Sequence, residues 1–84
     1  MEKTKVPKPR ALNEIAREIS LDWKKVNFGA VPYLDALHSL EKITDNFYLD
    51  SAESVVLYFL SNATTWRGET ARRVKAELKA LLKR

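Results

Sequence analysis

The most apolar stretch of the chain, DSAESVVLYFLSNA at residues 50–63, constrains the fold more than any other segment. Its apolar residues recur at the spacing of one helical face, which the two-residue alternation of a strand would not produce. These residues are Ala52, Val55, Val56, Phe59 and Ala63. We therefore predict a central helix near residues 51–63, with Asp50 as its N-cap and Glu53 reaching back to complete a capping box.

Leu57 and Tyr58 fall on the opposite side of this predicted helix. A single helical neighbour cannot cover two sides of one helix. Either the helix is sandwiched between its neighbours, or its back forms an interface such as that of a homodimer. In both cases we expect Leu57 and Tyr58 to be buried, and they are our candidate interface residues.

Three further amphipathic helices are predicted around the central one, because apolar residues step by three or four positions through each. They lie near residues 11–27, 32–43 and 66–83. Gly29 suits the left-handed conformation that ends a helix, and Pro32 suits the first turn of the next one. Residues 20–22, Ser-Leu-Asp, are a weak point at which the first helix can kink or restart.

The predicted fold class is therefore all-α: a compact single-domain bundle of about four short helices. Eighty-four residues suffice for one domain with a modest core. Prolines at positions 7 and 9 interrupt helix formation, so residues 1–10 are predicted to be a flexible basic N-terminal arm and residues 11–84 the helical domain.

Several residues outside the four apolar faces also carry structural expectations. Phe47 and Tyr48 lie in a predicted loop and are expected to fold back onto the core. Thr64 or Thr65 is the expected N-cap of the last helix, and Trp66 its anchor on the core. Gly68 weakens a helical turn, which indicates close approach of a neighbouring segment.

The residue types present argue against an enzyme. The chain has no cysteine and one histidine, so no thiolate site can form. His38 lies three residues from both Asp35 and Glu41, but a single histidine is weak evidence for a metal, and solvated surface is the better interpretation. We predict no catalytic residues, no metal site and no cofactor.

The sequence also indicates a soluble protein of the cytoplasm. Its longest apolar run, residues 55–60, is far shorter than the about 20 residues that span a bilayer. The basic N-terminus is followed by no apolar core of a signal peptide.

Positive charge is concentrated at the two ends of the chain. Residues 1–10 carry a net charge of +3, residues 11–66 carry −4 and residues 67–84 carry +5. In the last helix, four cations step by three, four and four positions and form what we call the basic stripe: Arg72, Lys75, Lys79 and Lys83. The helix dipole and solvation explain cations in a last turn, but not Arg72 or Lys75.

Two runs of the chain resemble a known group of proteins. They are DWKKVNFGAVPYLDAL at residues 22–37 and VVLYFLSNATTWRGETARRVKAELKALLK at residues 55–83, with FGAVPYL and TWRGE as the most specific parts. The chain resembles small uncharacterised proteins encoded by actinobacterial bacteriophages and prophages. The resemblance implies a phage-encoded protein acting in the bacterial host cytoplasm, and it implies no activity or functional residue.

Two functions follow as expectations. The first is a non-enzymatic binding protein whose basic stripe contacts nucleic acid or an acidic protein surface. The alternative is a protein interaction module that self-associates as a homo-oligomer or binds a host or phage protein. A basic amphipathic helix also suits an anionic membrane surface, so the stripe alone does not decide among these partners.

Overall fold

The structure, a computed structural model, describes residues 9–83. Within these residues the chain forms four α-helices, one short 3-10 turn and one two-stranded hairpin. In chain order they are α1 (Leu12–Asp22), the 3-10 turn (Phe28–Ala30), α2 (Val31–His38), β1 (Asn46–Phe47), β2 (Asp50–Ser51), α3 (Ala52–Ser61) and α4 (Glu69–Lys83). The prediction of an all-α bundle of about four short helices is confirmed in part: the described residues are mostly helical and form four helices, but they also form a small two-stranded sheet that was not predicted.

The core is built as the periodic patterns predict. Helix α1 packs on α2 and α4, and α3 packs on α2 and α4. Val56 and Phe59 of α3 are fully enclosed together with Ile15 and Ile19 of α1. Burying such apolar side chains is the dominant favourable contribution to folding, about 1.5 to 3 kcal/mol for each large one.

Helix α3 begins one residue later than its sequence pattern indicates. The side-chain oxygen of Ser51 accepts a hydrogen bond from the backbone N–H of Ser54 at 3.1 Å, so Ser51 is the N-cap. The prediction of Asp50 was wrong. Asp50 instead pairs with Phe47 across the hairpin, which holds its backbone in a strand.

Helix α1 ends at Asp22, within the predicted weak segment, and Trp23 continues in an extended conformation. Gly29 does not adopt a left-handed conformation but lies inside the 3-10 turn. Its lack of a side chain serves close packing, since a Cβ atom there would lie 2.7 Å from Asn62 Oδ1. The expected helix-ending role of Gly29 was therefore wrong.

The hairpin between α2 and α3 has a two-residue loop, Tyr48 and Leu49. Tyr48 has a φ of 57°, the left-handed region that non-glycine residues rarely adopt. Phe47 packs against the core as expected, whereas the side chain of Tyr48 is 87% exposed. The prediction that both aromatic rings cover the core is correct for Phe47 and wrong for Tyr48.

The segment that enters α4 combines one confirmed and two corrected expectations. Trp66 is only 3% exposed and anchors this segment on the core, as predicted. Helix α4 begins at Glu69, so neither Thr64 nor Thr65 adjoins its first residue. A Cβ atom on Gly68 would meet nothing within 4 Å, and the glycine is required by its φ of 112° rather than by a close neighbour.

The predicted N-terminal arm lies mostly outside the described residues, which begin at Pro9. Arg10, the last residue of that predicted arm, is held against α4. Its guanidinium donates two hydrogen bonds to the carboxylate of Glu77, at 2.9 and 2.6 Å. This ion pair connects a residue two positions before α1 to the middle of the last helix.

Candidate functional site

Helix α4 has two charged flanks, and the one that faces α1 is neutralised by contacts within the chain. Glu77 pairs with Arg10, and Arg73 donates a hydrogen bond to the carboxylate of Glu18 on α1. A guanidinium nitrogen of Arg10 also lies 2.9 Å from the other carboxylate oxygen of Glu18. Two cations and two carboxylates thus form one network of alternating charge that joins α4 to α1 and to Arg10. This flank therefore stabilises the fold.

The hydrogen bonds of this network shift the pKa values of Glu18 and Arg10. The hydrogen bond from Arg73 holds the pKa of Glu18 below its ordinary value, with a smaller contribution from Arg10 and an opposing effect of desolvation. The hydrogen bond to Glu77 raises the pKa of Arg10 further above its ordinary value. Both shifts favour the charged forms of Glu18 and Arg10 near neutral pH.

The other flank of α4 carries the basic stripe. Arg72, Lys79 and Lys83 are exposed, as predicted. Among the described residues, no carboxylate oxygen lies within 4 Å of a side-chain nitrogen of any stripe residue, in contrast to Arg73 on the neutralised flank. Within residues 9–83 the positive charge of the stripe is thus not neutralised.

Lys75 is the one residue of the basic stripe that is not fully exposed. Its side chain is half-buried, and its Nζ donates a hydrogen bond to the backbone carbonyl of Trp66 at 2.7 Å. The same Nζ lies 6.0 Å from the centroid of the Trp66 ring, at the outer limit of a cation–π contact. Lys75 is therefore fixed in place, whereas the other stripe cations are exposed to solvent.

The surroundings of Lys75 are cationic. Desolvation lowers the pKa of its ammonium group, and the nearby charges of Lys79 and Arg67 lower it further. Like charges held close together favour binding of an anion between them, because the anion relieves their repulsion. Arg67 was not among the predicted site residues, since it precedes the helix and no periodic pattern marks it.

An open hollow lies beside Lys75 at the start of α4, and we call it the basic cleft. Its volume is about 350 Å³. It is lined by Thr64, Trp66, Arg67, Gly68, Ala71, Arg72 and Lys75. The structure thus brings the first two residues of the basic stripe together with Arg67, while Lys79 and Lys83 continue along the helix beyond the cleft.

The candidate interface residues Leu57 and Tyr58 are 52% and 51% exposed. The interpretation of α3 as a helix sandwiched within the chain was therefore wrong. Helices α2 and α4 pack against one side of α3, and the side that carries Leu57 and Tyr58 remains open. The ring of Tyr58 lies against that of Tyr33 on α2, with 5.4 Å between centroids. The second alternative, an interface with another molecule, stays a prediction.

His38 is exposed, in agreement with a surface role, and its Nε2 lies 3.0 Å from the hydroxyl of Ser20. No group of three or more potential metal ligands occurs among residues 9–83. No protein family model, curated protein or solved structure matches the chain. In the described part of the chain, no helix is both long enough and apolar enough to cross a bilayer.

The two flanks of α4 thus differ in what they can do chemically. The Arg73 and Glu77 flank holds the fold together and offers little net charge to a ligand. The basic stripe and Arg67 present hydrogen-bond donors and positive charge, which suit phosphate or carboxylate groups. This asymmetry within a single helix is the feature on which a functional interpretation can be built.

Proposed function

We propose that this protein is a non-enzymatic nucleic-acid-binding protein whose basic stripe contacts the phosphate backbone. The observation that carries the proposal is the contrast between the flanks of α4. Cations that serve the fold, such as Arg73, have carboxylate partners. The stripe cations Arg72, Lys79 and Lys83 have none among the described residues.

The dimensions of the stripe suit a polyanion. Arg72 and Lys83 are 11 residues apart, which corresponds to roughly 16 Å along a helix that rises about 1.5 Å per residue. Ala76 and Ala80 are exposed beside these cations, so small side chains leave room for a phosphate backbone to approach the helix. Several phosphates can be contacted along an edge of this length.

Solvation and helix capping provide the competing explanation of the stripe. Lysines in the last turn of a helix interact favourably with its dipole, which accounts for Lys83. Arg72 lies in the first turn, where a cation is unfavourable to the dipole, and Glu69 is the only acidic residue there. The placement of Arg72 therefore needs a reason outside the helix, and an anionic ligand supplies one.

The salt dependence of binding tests this proposal. Four phosphate contacts on duplex DNA should make log K fall with log salt at a slope of about −3.6, or −0.9 per contact. The double variant Lys79→Glu, Lys83→Glu should lose about half of that slope. Filter binding or fluorescence anisotropy with random duplex and single-stranded DNA would measure it.

The double variant Arg17→Glu, Lys24→Glu is the matched control, because it also reverses two exposed cations and both lie outside α4. We expect it to leave the slope near the value of the unaltered protein. No complex at protein concentrations of about 100 μM in low salt, the weak end of non-specific binding, would remove nucleic acid as the partner.

The second candidate function, a protein interaction module, is favoured by the exposed apolar back of α3. Leu57 and Tyr58 lie there, with Tyr33 against Tyr58. Phe28 is 91% exposed beside Gly29, which itself approaches Asn62 at the end of α3. An apolar interface weakens little with salt, so the same salt series separates it from phosphate binding.

We also propose that the protein acts in the cytoplasm of a bacterial host. The resemblance of residues 22–37 and 55–83 to phage-encoded proteins of actinobacteria supports a role in the cytoplasm of a bacterial host, where nucleic acid is accessible. Fractionation of expressing cells, followed by nuclease treatment of the soluble extract, would test both parts. Partners that are lost after nuclease would support nucleic acid, and retained partners would support the second candidate.

A further inference from the structure

We propose that the basic cleft at the start of α4 is a binding site for one phosphate group, and we call this site the seat. This inference deepens the proposed function by naming the point at which a phosphate is held, and it rests on that function for its biological ligand. The remaining stripe residues, Lys79 and Lys83, then act as a diffuse positive edge that extends from the seat.

Cations from different parts of the backbone converge on the cleft. Arg67 comes from the segment before α4, Arg72 from the first turn of the helix and Lys75 from the next turn. Their side chains border one hollow of about 350 Å³. Three positive groups around a common space can surround a tetrahedral anion, whereas a linear stripe contacts it from one side only.

Lys75 is held in position before any ligand arrives. Its Nζ donates a hydrogen bond to the carbonyl oxygen of Trp66 at 2.7 Å, and the residue is half-buried. An ammonium group has three N–H donors, so two remain for a ligand. A side chain that is already ordered loses less conformational entropy on binding than a mobile surface lysine.

The wall of the cleft suits a phosphate group rather than a base. Trp66 contributes to the wall of the cleft, yet its ring is only 3% exposed and is stacked on Trp23 with 5.7 Å between centroids. A buried ring offers no open face on which a base could stack. The hydroxyl of Thr64 and the three cations are the remaining polar groups of the lining, and they match phosphate oxygens.

The experiment is an NMR titration of the full chain, labelled with ¹⁵N, with inorganic phosphate at constant ionic strength. We expect saturable shifts of the Ala71 and Arg72 amides and of the Trp66 indole N–H. Arg72→Gln should weaken phosphate binding about tenfold, the effect of losing one charge-assisted hydrogen bond. Lys79→Gln, an equal loss of charge one turn beyond the cleft, should weaken it less than about twofold.

Lys75→Gln extends the test, with far-UV circular dichroism as the check that the variant is folded. Arg72 and Lys79 are exposed, so their variants remain folded and decide the question if Lys75→Gln does not fold. Equal weakening by Arg72→Gln and Lys79→Gln would show diffuse attraction and overturn the seat. Linear shifts that never saturate would also overturn it.

Parallel titrations with thymidine monophosphate and with oligothymidylate distinguish the sources of the phosphate group. Stronger binding of the oligonucleotide through the same Arg72-dependent shifts would assign the seat to a nucleic-acid backbone. If inorganic phosphate saturates the cleft but no oligonucleotide binds, the seat stands for a small phosphate ligand and the proposed function fails. If the oligonucleotide binds without these shifts, the proposed function stands and the seat is wrong.

Discussion

The indole Nε1 of Trp66 donates a hydrogen bond to the carboxylate of Asp22 at 2.8 Å. This bond joins the last residue of α1 to the segment that enters α4, across 44 positions of sequence. Trp66 also stacks on Trp23 and meets Phe59 edge to face, so its polar group is satisfied at the rim of an otherwise aromatic cluster. The wall of the basic cleft is thus fixed by the end of another helix.

We therefore predict that Asp22→Ala lowers the free energy of unfolding by about 1 to 2 kcal/mol, because a nearly buried indole N–H loses its charged acceptor. For a domain of this size, each kcal/mol corresponds to about 4 to 8 °C in Tm. Asp35→Ala, on the exposed face of α2, is the matched control and should change Tm little. Equal stability of the two variants in thermal melts would contradict the structural role of the Trp66 bond.

The ion network between α1 and α4 predicts acid sensitivity. Arg73, and then Arg10, keep the pKa of Glu18 in the folded protein below its ordinary value of 4.5. A lowered folded pKa means that the unfolded chain binds the proton more readily, so this stabilisation is present above pH 4.5 and is lost as pH falls through the folded pKa. The melting temperature should therefore fall between pH 6 and pH 3.

The variant Glu18→Gln isolates this contribution from those of other carboxylates. It should be less stable than the unaltered protein at pH 6, and the difference should shrink towards pH 3 as Glu18 itself becomes protonated. Glu41→Gln, at an exposed carboxyl in the loop after α2, serves as the control and should differ little in Tm from the unaltered protein at pH 6. Parallel Tm curves for the unaltered protein and Glu18→Gln would show that the network adds no stability.

Substitutions at Gly68 test whether glycine is required there by the backbone conformation or by the surroundings of the residue. Its φ of 112° is unfavourable to any residue with a Cβ atom, and a Cβ atom there would meet nothing within 4 Å. Gly68→Ala and Gly68→Leu should therefore both lower stability, by a similar amount of about 1 to 2 kcal/mol. A much larger loss for leucine than for alanine in denaturant titrations would restore the explanation by close approach.

Periodicity predicted the helices because each one buries a continuous face, and that pattern is local. The hairpin was missed because each of its strands has two residues, too few for an alternating pattern, and Tyr48 lies where glycine is expected. Asp50 and Ser51 are both competent N-caps, and only the pairing of Asp50 with Phe47 decides between them.

The candidate site was predictable only in part for a similar reason. Helical spacing indicated the exposed members Arg72, Lys79 and Lys83, since their positions follow from one element. The attachment of Lys75 to Trp66 requires the segment before α4 to fold back, and this depends on the contact of Trp66 with Asp22. No local pattern in the sequence encodes such a tertiary relationship.

The open back of α3 allows the folding of the chain to be tested separately from its assembly. Leu57 is 52% exposed, so Leu57→Asp should leave the fold intact and shift Tm by no more than a few degrees, as surface substitutions usually do. If α3 forms a homodimer interface, burying a carboxylate there is costly, and the variant should have the mass of a monomer where the unaltered protein has that of a dimer. Sedimentation equilibrium over a range of concentrations would measure both masses.

Ser61→Asp, which adds the same charge at an exposed position one turn further along α3, tests how far such an interface extends. Unaltered protein that is already monomeric at about 100 μM would remove self-association and leave a different protein as the only apolar partner for Leu57 and Tyr58.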